Sequence, residues 1–590
     1  MSDVARLSAT MIAQAVRSGA TTARAVMEET LARLVAYDRH QPQVWISRFS
    51  PEALRAAARA VDARLAAGER LPLAGVPFAA KDNIDVAGLD TTAACPAFAY
   101  RPECSAAVIE RLAAAGAICV GKTNLDQFAT GLVGTRSPYG IPRNAYHRAY
   151  VSGGSSSGSA VAVAAGLVAF ALGTDTAGSG RVPAAFNHLV GFKPSKGRWS
   201  TRGLVPACRS IDCITVFTDA PEDAVAVDAV LAGFDTEDPF SRAPADVPLR
   251  GKRIGVPRRD QRQFFGDVQA EHLNERALAT LTGQGELVEI DITPLLEAAR
   301  LLYGGPWVAE RTAAILPLLE RDPQAIDPTV REIVGAGLSM SAVEVWQGHY
   351  RLAELARAAE AMWREVDALA FPTTGTTYRV AELAAAPIAL NSNLGLYTNF
   401  VNLLDMAAIA VPAGARDNGT GFGITFIGPA HSDRALARLA GDYLAAATLP
   451  PLPPLDLGDR MDSIKLAVVG AHLEGMPLHW QLTSREARFI GAFTTAPAYR
   501  LYAMAESVPP KPALVHVGEG EGAAIALEVY ELGLAEFGSF VAEVPPPLAI
   551  GTVTLADGSS VKGFVAEPRA LAGAEDITHL GGWRAYIASR

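Results

Sequence analysis

Residues 151–194 hold the chain's densest supply of serine hydroxyls and closely spaced backbone N–H groups. They read Val-Ser-Gly-Gly-Ser-Ser-Ser-Gly-Ser, then an Ala/Val-rich run, then Gly-Thr-Asp-Thr-Ala-Gly-Ser-Gly-Arg, and finally Gly-Phe-Lys-Pro. A serine hydroxyl attacks acyl groups once a base takes its proton. Successive N–H groups of a glycine-rich turn can converge on one oxyanion. Gly153, Gly154, Gly158, Gly173, Gly178 and Gly180 permit the close approach this needs. A flexible Gly/Ser linker is the alternative. The apolar run 160–172 between the two loops argues against it. The pattern predicts a polar loop, a buried apolar helix and a second polar loop, both loops facing one pocket.

The two loops resemble the amidase signature family. Its pattern is Gly-Gly-Ser-Ser, a mostly apolar run, then Gly-x-Asp-x-Gly-Gly-Ser. Gly153-Gly154-Ser155-Ser156 and Gly173-Thr174-Asp175-Thr176-Ala177-Gly178-Ser179 match it, with Ala177 in place of one family glycine. The resemblance covers roughly residues 5–450. It implies that Ser179 is the nucleophile and that Ser155 is a bridging serine held on a cis peptide. It also implies a lysine base, and Gly75-Val76-Pro77-Phe78-Ala79-Ala80-Lys81-Asp82-Asn83 is the matching segment. Lys81 acts as a base only when neutral, and burial lowers an ammonium pKa. Ser155 would relay the proton between Lys81 and Ser179. The backbone N–H groups of Thr176, Ala177, Gly178 and Ser179 would form the oxyanion hole. Asp175 is expected to order that loop and Arg181 to tie it down.

Phe128-Ala129-Thr130-Gly131-Leu132-Val133-Gly134-Thr135-Arg136 looks like the allophanate hydrolase branch of that family. The implied substrate is allophanate: small, planar and anionic. A pocket for it needs a fixed cation, and arginine's planar fork suits a carboxylate. Residues 301–313 read Leu-Leu-Tyr-Gly-Gly-Pro-Trp-Val-Ala-Glu-Arg-Thr-Ala. Pro306 is placed to open a helix, with Tyr303 just before it and Arg311 in its second turn. Spacing alone reads Arg311 as a helix arginine paired with Glu310 or a neighbour on a solvated face. The resemblance implies instead that Tyr303 and Arg311 grip the substrate and that Gly131 lines the pocket.

The chain has 590 residues, 49% apolar and 19% charged, enough for a large core and more than one domain. A net charge of −10 argues against non-specific nucleic-acid binding. The five cysteines, Cys95, Cys104, Cys119, Cys208 and Cys213, show no zinc spacing and read as reduced thiols of a cytoplasmic enzyme. No cofactor and no metal are expected. The first residues form no signal peptide, and the longest apolar run is too short for the roughly 20 residues of a spanning helix, so no membrane partner is expected.

Helical periodicity runs over 7–36 with start signals at Ser8 and Thr21-Thr22, and a third helix is expected at 51–67. Residues 75–80 read as a strand delivering Lys81 to its end. Residues 104–115 read as a helix and 117–120 as a strand. Gly116-Ala117-Ile118-Cys119-Val120-Gly121-Lys122-Thr123 satisfies the phosphate-loop pattern, but a helix precedes it and its middle reads as a strand, which is the wrong context. Residues 220–370 read as mainly helical, and 366–414 return to the α/β style. Asn399 and Asn402 are expected to satisfy buried backbone.

A Pro-rich stretch at 449–458 marks the clearest boundary. The expected organisation is an amidase signature domain at 1–450, a linker at 451–463 and a C-terminal domain at 464–590. The first is expected to be α/β, an α/β/α layered domain on a central mixed sheet. The second is expected as a smaller α+β domain, with strands at 464–469, 513–517 and 525–530 and a hairpin at 553–565 turning at Ala556-Asp557-Gly558-Ser559. Val469-Gly470-Ala471-His472-Leu473 and Tyr499-Arg500-Leu501-Tyr502 resemble the domain attached to many allophanate hydrolases, of γ-glutamylcyclotransferase-type fold. The family role suggested for it is decarboxylation of N-carboxycarbamate. His472 is its candidate catalytic residue, with a purely structural histidine as the alternative.

The reading that results is an amidohydrolase acting on allophanate. A relative acting on another small acyl or aryl amide is the alternative, and an amidotransferase-like subunit of a complex a third. A homodimer, and association with an allophanate-producing enzyme, follow from the resemblance alone. Residues do not decide whether that enzyme carboxylates urea or opens a triazine ring.

Overall fold

The computed structural model describes residues 7–457, 463–485, 487–505 and 507–590. These fall into two compact units that divide between Leu457 and Gly458.

The first unit is built on eleven strands. In chain order they are β1 (Trp45–Arg48), β2 (Pro77–Lys81), β3 (Ile118–Thr123), β4 (Phe170–Asp175), β5 (Val190–Lys193), β6 (Cys213–Thr218), β7 (Arg253–Pro257), β8 (Glu286–Ile290), β9 (Ala368–Pro372), β10 (Met406–Ala415) and β11 (Gly421–Pro429). They form one mixed sheet in the order β1-β3-β2-β4-β6-β5-β10-β11-β9-β7-β8. β2 runs parallel to both β3 and β4, in register Phe78↔Phe170 and Ala80↔Leu172. Every residue of β2 is buried. Side chains alternate across a strand, so Val76, Phe78 and Ala80 enter one apolar core and Ala79 enters another. A strand covered on both faces carries a continuous apolar run rather than an alternating one. The Phe78 and Phe170 rings stack with centroids 5.1 Å apart, locking the pair β2/β4.

The early helices begin where capping chemistry places them. Ser8 accepts from the Met11 N–H at the start of Ala9–Arg17, and Thr22 accepts from Ala25 N–H at the start of Ala23–Asp38. Ser50 does the same for Pro51–Ala66, which has proline in its first turn.

Two expectations need correction. The apolar run 160–172 is not one helix. It splits into the end of helix Ser157–Ala164 and the start of β4, separated by Gly166 at φ 64°. All of these residues are buried, so no polar face marks a period that would tell helix from strand. The mainly helical segment 220–370 also supplies β7 and β8, two short strands at the sheet's far edge.

The end of the Pro-rich stretch is part of the first unit rather than free linker. Asp456 N–H donates to Ala145 O, Asp456 Oδ2 accepts from Arg148 N–H, and Leu455 and Leu457 pack on the core. Residues 458–462 of the expected linker lie outside the described residues.

The second unit has two sheets. One is five-stranded, β13 (Arg488–Thr494), β16 (Ala526–Gly533), β12 (Ser463–Val468), β18 (Ser560–Ala566) and β17 (Leu548–Thr554) in spatial order, and the other pairs β15 (Pro512–His516), β14 (Tyr499–Ala503) and β19 (Glu575–Asp576). β17 and β18 form the hairpin read at 553–565, with Gly558 at φ 84° and the Asp557 carboxylate accepting from Ser559 in the turn. Leu466, Val468, Leu501, Leu527, Val529 and Trp583 contribute to a core of its own.

Candidate active site

Lys81 is the last residue of β2, and Thr174 and Asp175 end the neighbouring parallel strand β4. Two adjacent parallel strands therefore deliver these side chains to one edge of the sheet, the carboxyl edge where α/β proteins build sites. Lys81 is fully buried. Its Nζ donates to Ser155 Oγ at 2.7 Å and to Thr174 Oγ1 at 2.7 Å. Burial pulls the Lys81 ammonium down to about 7, against the pull of the Asp126, Asp212 and Asp175 carboxylates in the other direction. A lysine held this way is neutral in a large fraction of molecules near neutral pH.

Ser155 follows a cis Gly154–Ser155 peptide. A Cβ at Gly154 would lie 2.0 Å from Asp126 Oδ2, so only glycine fits there. The next serine supports the strand opposite, since Ser156 Oγ donates to Thr174 O and accepts from Thr174 N–H, each at 3.2 Å.

The second loop is ordered by Asp175. Its carboxylate takes two parallel bonds from Arg181, at 2.9 Å each, and accepts from the N–H groups of Gly178 and Gly180. Burial opposes the charge on Asp175, yet the Arg181 guanidinium outweighs it and holds the carboxyl below its usual range. Arg181 also donates to Thr398 O. Gly178 sits at φ 132° with Thr398 Oγ1 2.4 Å from where a Cβ would be. Ala177 is not among the residues at positive φ, so alanine fits where the family pattern has glycine.

These contacts correct the expected oxyanion hole at one position. The Gly178 N–H is taken by Asp175 Oδ1 at 2.9 Å. Among the described residues no partner takes the N–H of Thr176, Ala177 or Ser179, which leaves those three free for an oxyanion. The expected hydroxyl relay is likewise half assembled. Lys81 reaches Ser155, but Ser179 Oγ donates to Gly131 O at 3.4 Å, and no hydrogen bond joins Ser179 to Ser155 among the described residues.

Gly131 thus lies against Ser179, and its loop reaches Arg311. The Arg311 guanidinium is buried, donates to Thr130 Oγ1 at 3.1 Å and to Tyr303 OH at 3.5 Å, and stacks over the Tyr303 ring at 5.0 Å. No carboxylate lies within ion-pair distance of it among the described residues, and its buried Nε has no partner. Glu310, one of the surface partners expected from spacing, instead accepts from Ser210 N–H and Oγ. Arg311 does fall in the second turn of helix Trp307–Arg321 behind Pro306. Tyr303 does not precede a helix from a loop. It lies in the last turn of the preceding helix, Thr293–Gly304.

Four residues of this neighbourhood were not singled out from sequence. Thr174 is the second partner of Lys81. Thr130 is the hydroxyl that Arg311 grips. Asp126, buried, accepts from the N–H groups of Val133, Gly134 and Arg136 and so folds the 126–136 loop around itself. Asp212 accepts from Thr176 Oγ1 and from Ala207 and Cys208 N–H, and burial pushes its carboxyl up to about 6. Thr174 sits inside the serine-loop motif and was within reach of sequence reasoning. Asp126, Thr130 and Asp212 carry no signal except burial. Asn402 donates to Asp175 O and Ile211 O, satisfying buried backbone as expected. Lys122 of the phosphate-loop pattern is buried in β3 and ion-pairs with Asp82, the residue after Lys81, at 3.0 Å.

In the second unit, His472 lines a cavity of about 230 Å³. Its Nε2 lies 2.7 Å from Gln481 Oε1, and its ring stacks on Phe564. Burial lowers its pKa. Among the described residues no group of acidic, histidine and cysteine side chains has the arrangement of a metal site.

A serine loop and an N–H-rich turn around a buried lysine at a sheet edge define a class of hydrolase, and comparison with known proteins narrows it. The amidase family model matches residues 26–437, and the model of the allophanate hydrolase C-terminal domain matches residues 464–588. The chain belongs to the amidase family. Urea amidolyase of Saccharomyces cerevisiae is 44% identical over 571 residues, covering 92% of this chain and 31% of its own length. Urea amidolyase of Lachancea kluyveri is 42% identical, covering 95% of this chain and 32% of its own. The chain thus spans about a third of the length of these relatives. Selenomethionine-substituted Kluyveromyces lactis allophanate hydrolase superposes with a TM-score of 0.70 at 41% identity, covering 96% of this chain and 97% of that one.

Proposed function

We propose that this chain hydrolyses allophanate. Ser179 attacks the terminal amide carbon while its proton passes through Ser155 to neutral Lys81. The N–H groups of Thr176, Ala177 and Ser179 stabilise the oxyanion. The returning proton lets ammonia leave, and water cleaves the acyl-enzyme to N-carboxycarbamate. Entry into this cycle needs the Ser179 hydroxyl to exchange its bond to Gly131 O for one to Ser155. Tyr303, Arg311 and Gly131 hold the substrate. The second unit then decarboxylates the product to ammonia and carbon dioxide, with His472 as its candidate residue.

The observation that carries the anionic substrate is the buried Arg311 guanidinium, with no carboxylate within ion-pair distance among the described residues. A buried unpaired charge is costly, and a substrate carboxylate bound there removes that cost. The kinship to K. lactis allophanate hydrolase over nearly the whole of both chains supports the same reading. The wider reading is a homodimer in a reducing cytoplasm, working beside an enzyme that makes allophanate. The five free thiols support the compartment, and the occurrence of this region within urea amidolyases supports the association.

The test is ammonia release from allophanate, run beside biuret, malonamate and a neutral acyl amide. Fast turnover of allophanate alone is expected. Turnover of the neutral amide alone would discard the substrate assignment. Ser179→Ala is expected to abolish release with the fold intact, and appreciable residual activity would reject Ser179 as nucleophile.

A further inference from the structure

β4 and β6 pair antiparallel as far as Asp175↔Cys213. The next residues beyond that pair are Thr176 and Asp212, and a side-chain bond closes the end of the ladder: Thr176 Oγ1 donates to Asp212 Oδ1. Asp212 Oδ2 accepts from the N–H groups of Ala207 and Cys208, at 2.7 and 3.1 Å. Cys208 O in turn accepts from Ile211 and Asp212 N–H, so residues 207–212 form a closed turn. That turn is fastened to helix Trp307–Arg321. Cys208 Sγ donates to Trp307 O at 3.4 Å, and Ser210 N–H donates to Glu310 Oε1 at 2.8 Å. Glu310 precedes Arg311. A continuous run of bonds thus leads from Thr176, in the turn with the free N–H groups, to the residue before the buried guanidinium.

The hydrogen bonds of Asp212 do not by themselves call for a charge. All three donors are neutral, and an asparagine would satisfy the same partners. Its carbonyl would accept from Ala207 and Cys208, and its NH2 would donate to the Thr176 hydroxyl. A buried carboxylate is costly without a countercharge, and the cations of the site supply one. Burial pushes the Asp212 carboxyl up to about 6, against the Thr176 hydroxyl and the Arg311 guanidinium, so it is mostly ionised at pH 7. Burial pulls Lys81 down, while Asp126, Asp212 and Asp175 favour its ammonium. Arg202, Arg209, Glu237 and Asp238 line a cavity of about 360 Å³ together with Asp212. The nearby thiols of Cys208 and Cys213 are pushed up by burial and stay neutral.

We propose that Asp212 is a positioning residue for the amide cleavage: its bonds hold the oxyanion turn in place against the Arg311 helix, and its charge balances the site's two buried cations, Lys81 and Arg311. This rests on the roles proposed above for Ser179 and Lys81 and not on allophanate as the substrate.

The test uses the full chain with allophanate and, beside it, an alkyl fluorophosphonate, which labels an activated serine whatever its natural substrate. Labelling is located by mass spectrometry and its rate constant followed from pH 5.5 to 9, together with kcat/KM for allophanate. Rates are taken per labelled site, so an unfolded fraction does not enter. Asp212→Ala is expected to lower the high-pH plateau of both rates about tenfold or more, short of the roughly 10²–10³-fold cost of losing an oxyanion donor outright. Asp212→Asn should restore most of that plateau, since it keeps the bonds. Its rising limb should lie at lower pH than the native one, because one carboxylate that favours the Lys81 ammonium is gone. Thr176→Val should lower the plateau and move the limb less than Asp212→Asn does. A native plateau in Asp212→Ala, or an unmoved limb in Asp212→Asn, overturns the proposal. If Asp212→Ala does not fold, a native plateau in Thr176→Val overturns it instead. If Ser179 is labelled but allophanate is not turned over, the substrate assignment fails and the labelling rates decide the role of Asp212. If allophanate is turned over but Ser179 is never labelled, the nucleophile assignment fails and the role of Asp212 falls with it.

Discussion

At the scale of single residues, Lys81 owes its chemistry to where it is buried rather than to what it is. Among the described residues two hydroxyls and no carboxylate touch its Nζ, so burial outweighs the more distant carboxylates that favour the ammonium. If Lys81 is the base, kcat/KM rises as pH increases through about 7 and then levels, and a profile flat from pH 6 to 8 would remove Lys81 from that role. The same burial fixes a stability slope. The native pKa lies near 7 and the ordinary value is 10.5, so between them the unfolded chain binds more protons than the native one. Stability therefore rises with pH across that window. Lys81→Met should flatten this rise in denaturant titrations at stepped pH. Arg311 makes a different demand. Its fork fits a planar carboxylate in a way a point charge does not, so Arg311→Lys should raise KM for allophanate by about tenfold or more with a smaller change in kcat. An unchanged KM would exclude Arg311 as the carboxylate clamp.

At the scale of elements, the loop 126–136 ties Ser179 to Arg311. It places the Gly131 carbonyl on Ser179 and the Thr130 hydroxyl on Arg311. Its backbone is strained, with Phe128 at φ 50° and Ala129 at φ 52°, left-handed values that cost non-glycine residues about 1–2 kcal/mol each. The Asp126 carboxylate holds this shape through three N–H groups. Asp126→Ala strands those buried donors, and each unsatisfied donor costs about 1–3 kcal/mol. A loss of stability of several kcal/mol in urea unfolding is expected, with a drop in kcat from the misplaced Gly131. A variant of native stability and activity would show that the loop shapes itself without Asp126. Among the regular elements, capped helices were legible because Ser8, Thr22 and Ser50 carry their signal locally. The split of 160–172 and the edge strands β7 and β8 were not, since neither full burial nor a short edge strand leaves a clean period.

At the scale of the whole molecule, the two units have separate apolar cores, one set confined to residues up to 457 and the other to residues from 466 onward. Residues 1–457 alone should unfold cooperatively and release the first ammonia with kcat/KM within about threefold of the full chain, since each unit has an apolar core of its own. Failure to fold, or loss of that first step, would mean that the units depend on each other for stability or chemistry.

The residues by themselves determined the two serine loops, the lysine at the end of β2 and the break near 450, because these depend on local spacing: two Gly/Ser motifs, a Lys-Asp-Asn segment and a run of prolines. The resemblance they carried extended that to Tyr303, Arg311 and His472. Only the tertiary structure decided which groups meet. Asp175 takes the N–H of Gly178, Ser179 turns to Gly131 instead of Ser155, and Asp126, Thr130 and Asp212 enter the neighbourhood from distant segments. Protonation also waited for the fold. Burial brings Lys81 to about 7. Hydration and hydrogen-bond direction depend on neighbours brought together from far along the chain, and local spacing carries no record of them.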